Sequence, residues 1–229
     1  MKFIFCTLFA VLAVAAQTAE VSVHKFNGNR RVYDGKAASI SKFPYQAGIL
    51  FTPTDAVSPD TKFLGGGSLI SSTRVLTAAH NVPGVSSALV ILGAINVFKY
   101  EPGQLRIKVP LSGIVSHPNF NPNTLHNDIA MLKLPYAVKF NDNISPIALP
   151  EGSNNYVGVS GVISGWGEFD YTQKQSSFLR FANLKIITNS ECNDEFGDII
   201  DSVICVKGIG NVGACDGDSG NIFKYSSTG

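Results

Sequence analysis

The sequence predicts an all-β fold, a sandwich or a barrel, and three observations carry that reading. Short β-like runs alternate with turn clusters from Val32 onward. Glycine (22) and proline (11) are frequent, and long helical patterns are few. Hydrophobic residues make up 45% of the 229 residues and charged residues 15%. That is enough apolar material for a real core and too little charge for global disorder.

The runs follow in order. Residues 45–51 form the first and 68–76 the second, followed by 88–92. Residues 104–114 alternate through Leu105, Ile107 and Val109, the period-2 pattern of a half-buried strand. Residues 128–134 are mostly apolar and suit a buried strand. The pattern continues at 157–166, 178–187, 203–206 and 223–225. Turn formers at 53–59, 118–123 and 151–155 separate the runs. Periodicity alone does not choose between sandwich and barrel. There is no internal repeat, low-complexity stretch or heptad pattern, and a boundary between two β halves is expected near residues 140–155.

The first segment, 1–16, reads as a secretory signal peptide. Lys2 supplies the positive start, an apolar run follows, and Val14-Ala15-Ala16 offers a cleavage point near Gln17. The apolar run is too short to span a bilayer comfortably. A secreted, extracellular product with no membrane partner is therefore expected. Residues 17–31 are polar and end in Arg30-Arg31, as a removable propeptide does. The formal net charge of +1 argues against nucleic acid or an anionic membrane as the main partner. Cys6 leaves with the signal, so Cys192, Cys205 and Cys215 remain. An odd count in an oxidising compartment leaves one thiol without an internal partner.

Three segments carry chemistry: Leu76-Thr77-Ala78-Ala79-His80, Asn127-Asp128-Ile129-Ala130 and Gly217-Asp218-Ser219-Gly220. A serine hydroxyl is a poor nucleophile near neutral pH, so a base must take its proton as it attacks. An imidazole suits that role. A buried aspartate can fix its tautomer and stabilise the imidazolium that forms. Glycines beside the serine let backbone N–H groups approach a developing oxyanion. Singly, each piece has a bland reading: a core histidine, a capping aspartate, a turn of common composition. Their joint occurrence, in the order His, Asp, Ser behind a secretory signal, is far more specific.

With these segments, Gly66-Gly67-Ser68-Leu69-Ile70 and Ser164-Gly165-Trp166-Gly167, the chain from about Arg31 onward resembles the chymotrypsin/trypsin family of secreted serine endopeptidases, in its insect-type form. The resemblance implies two antiparallel Greek-key β-barrels, about 32–145 and about 146–229, with the site in the crevice between them. His80 would be the general base, Asp128 its orienting partner and Ser219 the nucleophile. The N–H groups of Gly217 and Ser219 would form the oxyanion hole. Arg31-Val32 resembles the family's activation site, where cleavage frees an α-amino group that could pair with Asp218. Gly213 would lie at the base of the primary pocket with Ala214 beside it. An uncharged residue there implies a chymotrypsin- or elastase-like preference for apolar side chains. Trp166, the only tryptophan, reads as packing. The resemblance further implies polypeptide substrates, an activating trypsin-like protease, protein protease inhibitors as partners, a monomer and no cofactor. His24, His117 and His126 show no metal-ligand spacing, and Glu101 stands alone in the loop where some relatives hold calcium, so no metal is expected. Asn143-Ile144-Ser145 is a glycosylation sequon followed by Pro146.

Departures from the family are as informative. The bridge beside the catalytic histidine is missing, because its two cysteine positions are Gly65 and Asn81 here. Loss of both partners removes a constraint worth about 2–4 kcal/mol. By resemblance Cys192 pairs with Cys205, and Cys215 would bond to a cysteine downstream of the serine. Where the family continues Gly-Pro after Gly220, this chain has Asn221-Ile222. By resemblance, about two more strands and a closing helix should follow Gly229. The second barrel is thus expected to be incomplete and this chain, as it stands, to have little activity despite its triad. The competing functions are a non-catalytic homologue acting as a secreted binding or regulatory module, and an inactive fragment.

Sequencing the transcript past the Gly229 codon checks the expectation of incompleteness. Further strand-like runs and a cysteine for Cys215 are the expected outcome. A verified stop codon there, with a stable secreted product of this length, is the contrary one.

Overall fold

The structure is a computed structural model. It describes residues 35–58, 60–150, 156–168, 175–196, 199–210, 212–214 and 217–225, preceded by a two-residue antiparallel ladder of β1 (Cys6–Thr7) and β2 (Lys25–Phe26). The rest of the expected signal peptide and propeptide, together with Arg31, Val32 and Cys215, lies outside the described residues.

After β3 (Lys36–Ala37) come β4 (Gln46–Pro53), β5 (Phe63–Ser71), β6 (Arg74–Thr77), β7 (Val85–Leu92), β8 (Leu105–Pro110), β9 (Ile114–Ser116) and β10 (Ala130–Lys133). β4 to β10 form one antiparallel sheet in the order β8-β7-β4-β5-β6-β10-β9. Its inward positions share a single core: Ala47, Ile49 and Phe51 of β4, Leu69 of β5, Val90 and Leu92 of β7, Ile107 and Val109 of β8, and Leu132 of β10. Strands near both edges feed that core, so the sheet curls into a barrel. Gly113 marks the closure, since a Cβ there would lie 2.9 Å from Val109 and 3.0 Å from the Lys133 carbonyl. Each large apolar side chain buried in this way contributes roughly 1.5–3 kcal/mol.

Two expected strands are each divided. The run 68–76 turns back on itself between β5 and β6. There Ser71 Oγ accepts from the Thr73 N–H (3.3 Å), a side-chain substitute for a ladder bond. The run 104–114 stops at Pro110, whose ring nitrogen cannot extend the ladder. A 3₁₀ turn, Leu111–Gly113, then carries the chain to β9 at the opposite edge. Each run reads as one because apolar residues resume beyond the break: Val75 and Ile114 return to the same core, while Leu111, which would continue the alternation, is exposed.

The second sheet comprises β11 (Ser160–Gly165), β12 (Arg180–Ile187), β13 (Cys205–Gly208) and β14 (Phe223–Tyr225), in the order β13-β12-β11-β14, with β3 also paired to β12. Between β12 and β13 lies α1 (Asn189–Phe196), which the strand pattern does not reveal. Its local signal is Thr188-Asn189-Ser190-Glu191. Glu191 Oε2 accepts from the Thr188 N–H and hydroxyl (3.0 Å each), and Thr188 Oγ1 accepts from the Glu191 N–H (3.1 Å). This reciprocal capping satisfies donors a short helix would otherwise leave open. Cys192 of α1 and Cys205 of β13 form a disulfide.

The second core also joins the two halves. Ile163, Trp166, Leu179, Leu184 and Phe223 pack with Phe43, Tyr45, Leu76, Ile91 and Val97 from the first. Trp166 is buried, and its Nε1 donates to the Ile95 carbonyl (2.7 Å), so the indole both packs and ties the halves together. Where Ala47, Ile49 and Phe51 face the barrel, Gly48 faces the other way, and a Cβ there would meet Val97 and Trp166. One strand thus serves both cores.

Candidate active site

Strand register brings His80 and Asp128 together. In the antiparallel pair β6–β10, Thr77 lies opposite Ala130. Three residues beyond Thr77 and two before Ala130 therefore arrive at the same end of the ladder. His80 enters on a 3₁₀ turn, Ala79–Asn81, behind the buried Ala78 and Ala79. Asp128 follows Asn127, whose φ of 55° lies in the left-handed region that asparagine tolerates better than most residues. The Ile129 N–H donates to the Asn127 carbonyl (2.8 Å) around the aspartate, and Asn127 Nδ2 donates to the Asn119 carbonyl (2.9 Å).

The result is a two-point contact. The His80 backbone N–H donates to Asp128 Oδ1 (2.7 Å), and His80 Nδ1 lies 2.7 Å from Asp128 Oδ2. The Asp128 side chain is fully buried and that of His80 is 25% exposed. An ionised carboxylate only accepts, so this contact puts the proton on Nδ1 and leaves Nε2 with a lone pair.

Ser219 occupies a tight corner. The Asn221 N–H donates to the Asp218 carbonyl (3.0 Å), closing a β-turn with Gly220 third at φ 88°, the position where a type II turn requires positive φ. A side chain at Gly220 would also run into Thr77 and the Gly66 carbonyl. The Ser219 carbonyl accepts from the Gly66 N–H (2.6 Å) and from Asn81 Nδ2 (3.3 Å). The serine backbone is thereby pinned to β5 and to the residue after His80. Gly217 has φ 91°, and a Cβ there would strike Gln175.

Asp218 is buried, and its Oδ1 accepts from the Gly167 N–H (2.9 Å) and from Asn221 Nδ2 (3.3 Å). Asn221 Oδ1 accepts from Gln46 Nε2 (2.5 Å), and Gln46 Oε1 accepts from the Ser164 hydroxyl (2.7 Å). Ser164, Gln46 and Asn221 are all buried. Sequence reasoning assigned Gln46 and Ser164 no role here, and noted Asn81 and Asn221 only as departures. A polar residue in place of a cysteine or a glycine was the available signal.

The trypsin family model matches residues 32–221. Collagenase from Hypoderma lineatum is 34% identical over 231 aligned positions, which cover 99% of this chain and 84% of that protein. Brachyurin from Leptuca pugilator is 33% identical, over 85% of this chain and 82% of that protein. The solved structure of HL collagenase superposes with a TM-score of 0.74 at 35% identity, over 85% of this chain and 81% of that one. The chain belongs to the trypsin family. It is by that membership a serine peptidase, and its two antiparallel sheets have the chymotrypsin-type arrangement.

Against the trypsin-family pattern, the missing bridge has a local replacement. Gly65 and Asn81 remain neighbours: a Cβ on Gly65 would lie 3.0 Å from Asn81 Nδ2. The buried amide is used to hold the Ser219 carbonyl. Gly213 is buried and Ala214 packs into the second core. Asn143 is exposed, in a turn where its N–H donates to Asn141 Oδ1 (2.9 Å). Glu101 Oε2 accepts from the N–H groups of Ile95 (2.7 Å) and Asn96 (3.0 Å), a loop-bracing role. A depression of about 300 Å³ beside Lys185, Glu191 and Lys207 is lined by none of His80, Asp128 and Ser219.

Asn81→Ala removes one hydrogen bond to Ser219 while the Gly66 bond remains. Urea unfolding is expected to show a loss of about 1 kcal/mol, the net worth of one such bond. No change in the midpoint would mean that Gly66 alone holds the carbonyl.

Proposed function

We propose that the protein is a secreted serine endopeptidase, made as a zymogen, that cleaves peptide bonds through an acyl-enzyme on Ser219. The observation that carries this reading is the buried Asp128 carboxylate bound twice by His80, next to a serine whose carbonyl is tied to Asn81. In the proposed reaction, Ser219 Oγ attacks the substrate carbonyl carbon as its proton passes to His80 Nε2. Asp128 keeps the ring oriented and offsets the charge of the imidazolium. The N–H groups of Gly217 and Ser219 receive the oxyanion. Collapse expels the amine, which takes the proton from His80. Water, deprotonated by the same imidazole, then releases the acyl group.

Activation is assigned to cleavage after Arg31, with the new Val32 amine pairing to Asp218. Gly35 is buried and its carbonyl accepts from Arg180 of β12, so the chain just past Val32 is anchored on the second sheet. That anchoring supports the reading. Uncharged Gly213 and Ala214 support an apolar primary preference, chymotrypsin- or elastase-like. The Cys192–Cys205 disulfide supports an extracellular site of action, and exposed Asn143 is the candidate glycan acceptor. Polypeptides are the substrates, a trypsin-like protease the activator, and protein inhibitors further partners of a monomer. One relative is named collagenase, so collagen is the first macromolecule to assay.

Full-length protein cut after Arg31 is expected to take up one equivalent of a fluorophosphonate, and none in Ser219→Ala. No labelling of the cut protein would reject the endopeptidase reading in favour of a non-catalytic binding homologue. Asp128→Asn should lower kcat about 10⁴-fold, because the ring loses its tautomer control.

Uncut protein should be nearly inert, and Arg31→Gln should resist trypsin-type activation. Equal turnover before and after cleavage would rule out the terminal-amine switch.

A further inference from the structure

Asn221 stands where the family has glycine, in a setting built around its side chain. It has no exposed surface. Gly66 on β5 and Gly165 at the end of β11 flank it, and a Cβ on either would overlap its amide. A buried amide in so close a fit must have all its polar atoms satisfied, and the surroundings decide which way it points.

The direction follows from the donors. The Ser164 hydroxyl donates to Gln46 Oε1, which turns Gln46 Nε2 toward Asn221. Gln46 Nε2 then donates to Asn221 Oδ1, which turns Asn221 Nδ2 toward Asp218. All three bonds run the same way and end on the Asp218 carboxylate. Bonds in such a chain polarise one another, and a charged acceptor at the end favours the arrangement. Asp218 and Asn221 also bound the turn that carries Ser219. The amide therefore fixes the carboxylate and the corner together.

We propose that Asn221 is a positioning residue: it anchors Asp218 through the Ser164–Gln46–Asn221 relay and so holds residues 217–219 in the conformation in which their N–H groups can receive an oxyanion. The consequence for the reaction rests on the serine-peptidase reading. The ordering of the loop does not. Gln46 lies on the first sheet, Ser164 on the second, and Asn221 in the serine loop, so the relay also makes the loop's order depend on how the two halves pack.

The test uses Asn221→Gly, which removes the amide and restores the family residue, and Asn221→Asp, which keeps the shape and loses the donor. Hydrogen exchange of the peptide spanning residues 217–221 is followed by mass spectrometry alongside kcat and KM for a peptide ester. Both variants should exchange faster in that peptide by about tenfold, the worth of one hydrogen bond to a charged group, with β4 and β7 unchanged. In active protein, kcat per site titrated with fluorophosphonate should fall by a similar factor while KM stays within twofold; the unchanged exchange of β4 and β7 is what general destabilisation would not give. Ser164→Ala, at the far end of the relay, should move exchange the same way by a smaller factor. It serves as the readout if either Asn221 variant does not fold. Exchange within twofold of the parent in every folded variant would overturn the proposal. Faster exchange in protein whose Ser219 never takes up fluorophosphonate would uphold the positioning role and reject the peptidase reading alone.

Discussion

A carboxylate without exposed side-chain surface is costly to bury unless donors surround it. At Asp128 two donors come from one residue, the backbone and the ring of His80. The demand that makes the burial tolerable is thus the demand that orients the imidazole. Much of the first barrel serves this contact. The β6–β10 register delivers both residues to one end of the ladder, Asn127 takes the left-handed turn that sends the aspartate inward, and small alanines leave room before the histidine. A one-residue slip between β6 and β10 would separate the pair and turn the faces of both strands.

The second buried carboxylate, Asp218, meets the same pressure in a different way. Its donors come from separate places, the backbone after Trp166 and the amide of Asn221. Both belong to the second half, and the link to the first runs one bond further on, through Gln46 of β4 to Asn221, whereas Asp128 is a local lock. The interface around it is mostly apolar and includes the buried Trp166. A satisfied polar chain through such an interface permits fewer relative placements of the two sheets than apolar packing alone. The Ser219 carbonyl adds a further cross-tie, held by Gly66 of the first sheet and by Asn81.

The strands were legible wherever apolar alternation and turn composition agreed, as at 45–51, 178–187 and 223–225. They were misdrawn at 68–76 and 104–114, where apolar residues on both sides of a break read as one run across the chain reversal at Ser71–Arg74 and the stop at Pro110. α1 was hidden because one capping box is a weak signal inside a β-rich pattern, although Thr188 and Glu191 were there to be read. His80, Asp128 and Ser219 stood out because each sits in a distinctive local segment. Gln46, Ser164 and Asn81 did not, since a lone buried polar side chain has no sequence signature of its own.

What the sequence by itself determined is therefore local: where the chain alternates, where it must turn, where glycine is needed for a positive φ, and which residue types able to do chemistry lie beside those turns. Tertiary structure alone decided which of them meet. Gln46 and Asn221 are 175 residues apart, and their 2.5 Å contact exists only because two separately formed sheets pack with β4 shared between their cores. Asn81 lies 138 residues from Ser219, and its bond to that carbonyl depends on where the serine corner settles against β5. Hydrogen bonds reach about 3 Å and ask for a particular angle. Such contacts are outcomes of packing, which fixes distance and direction together, and no run of neighbouring residues encodes both.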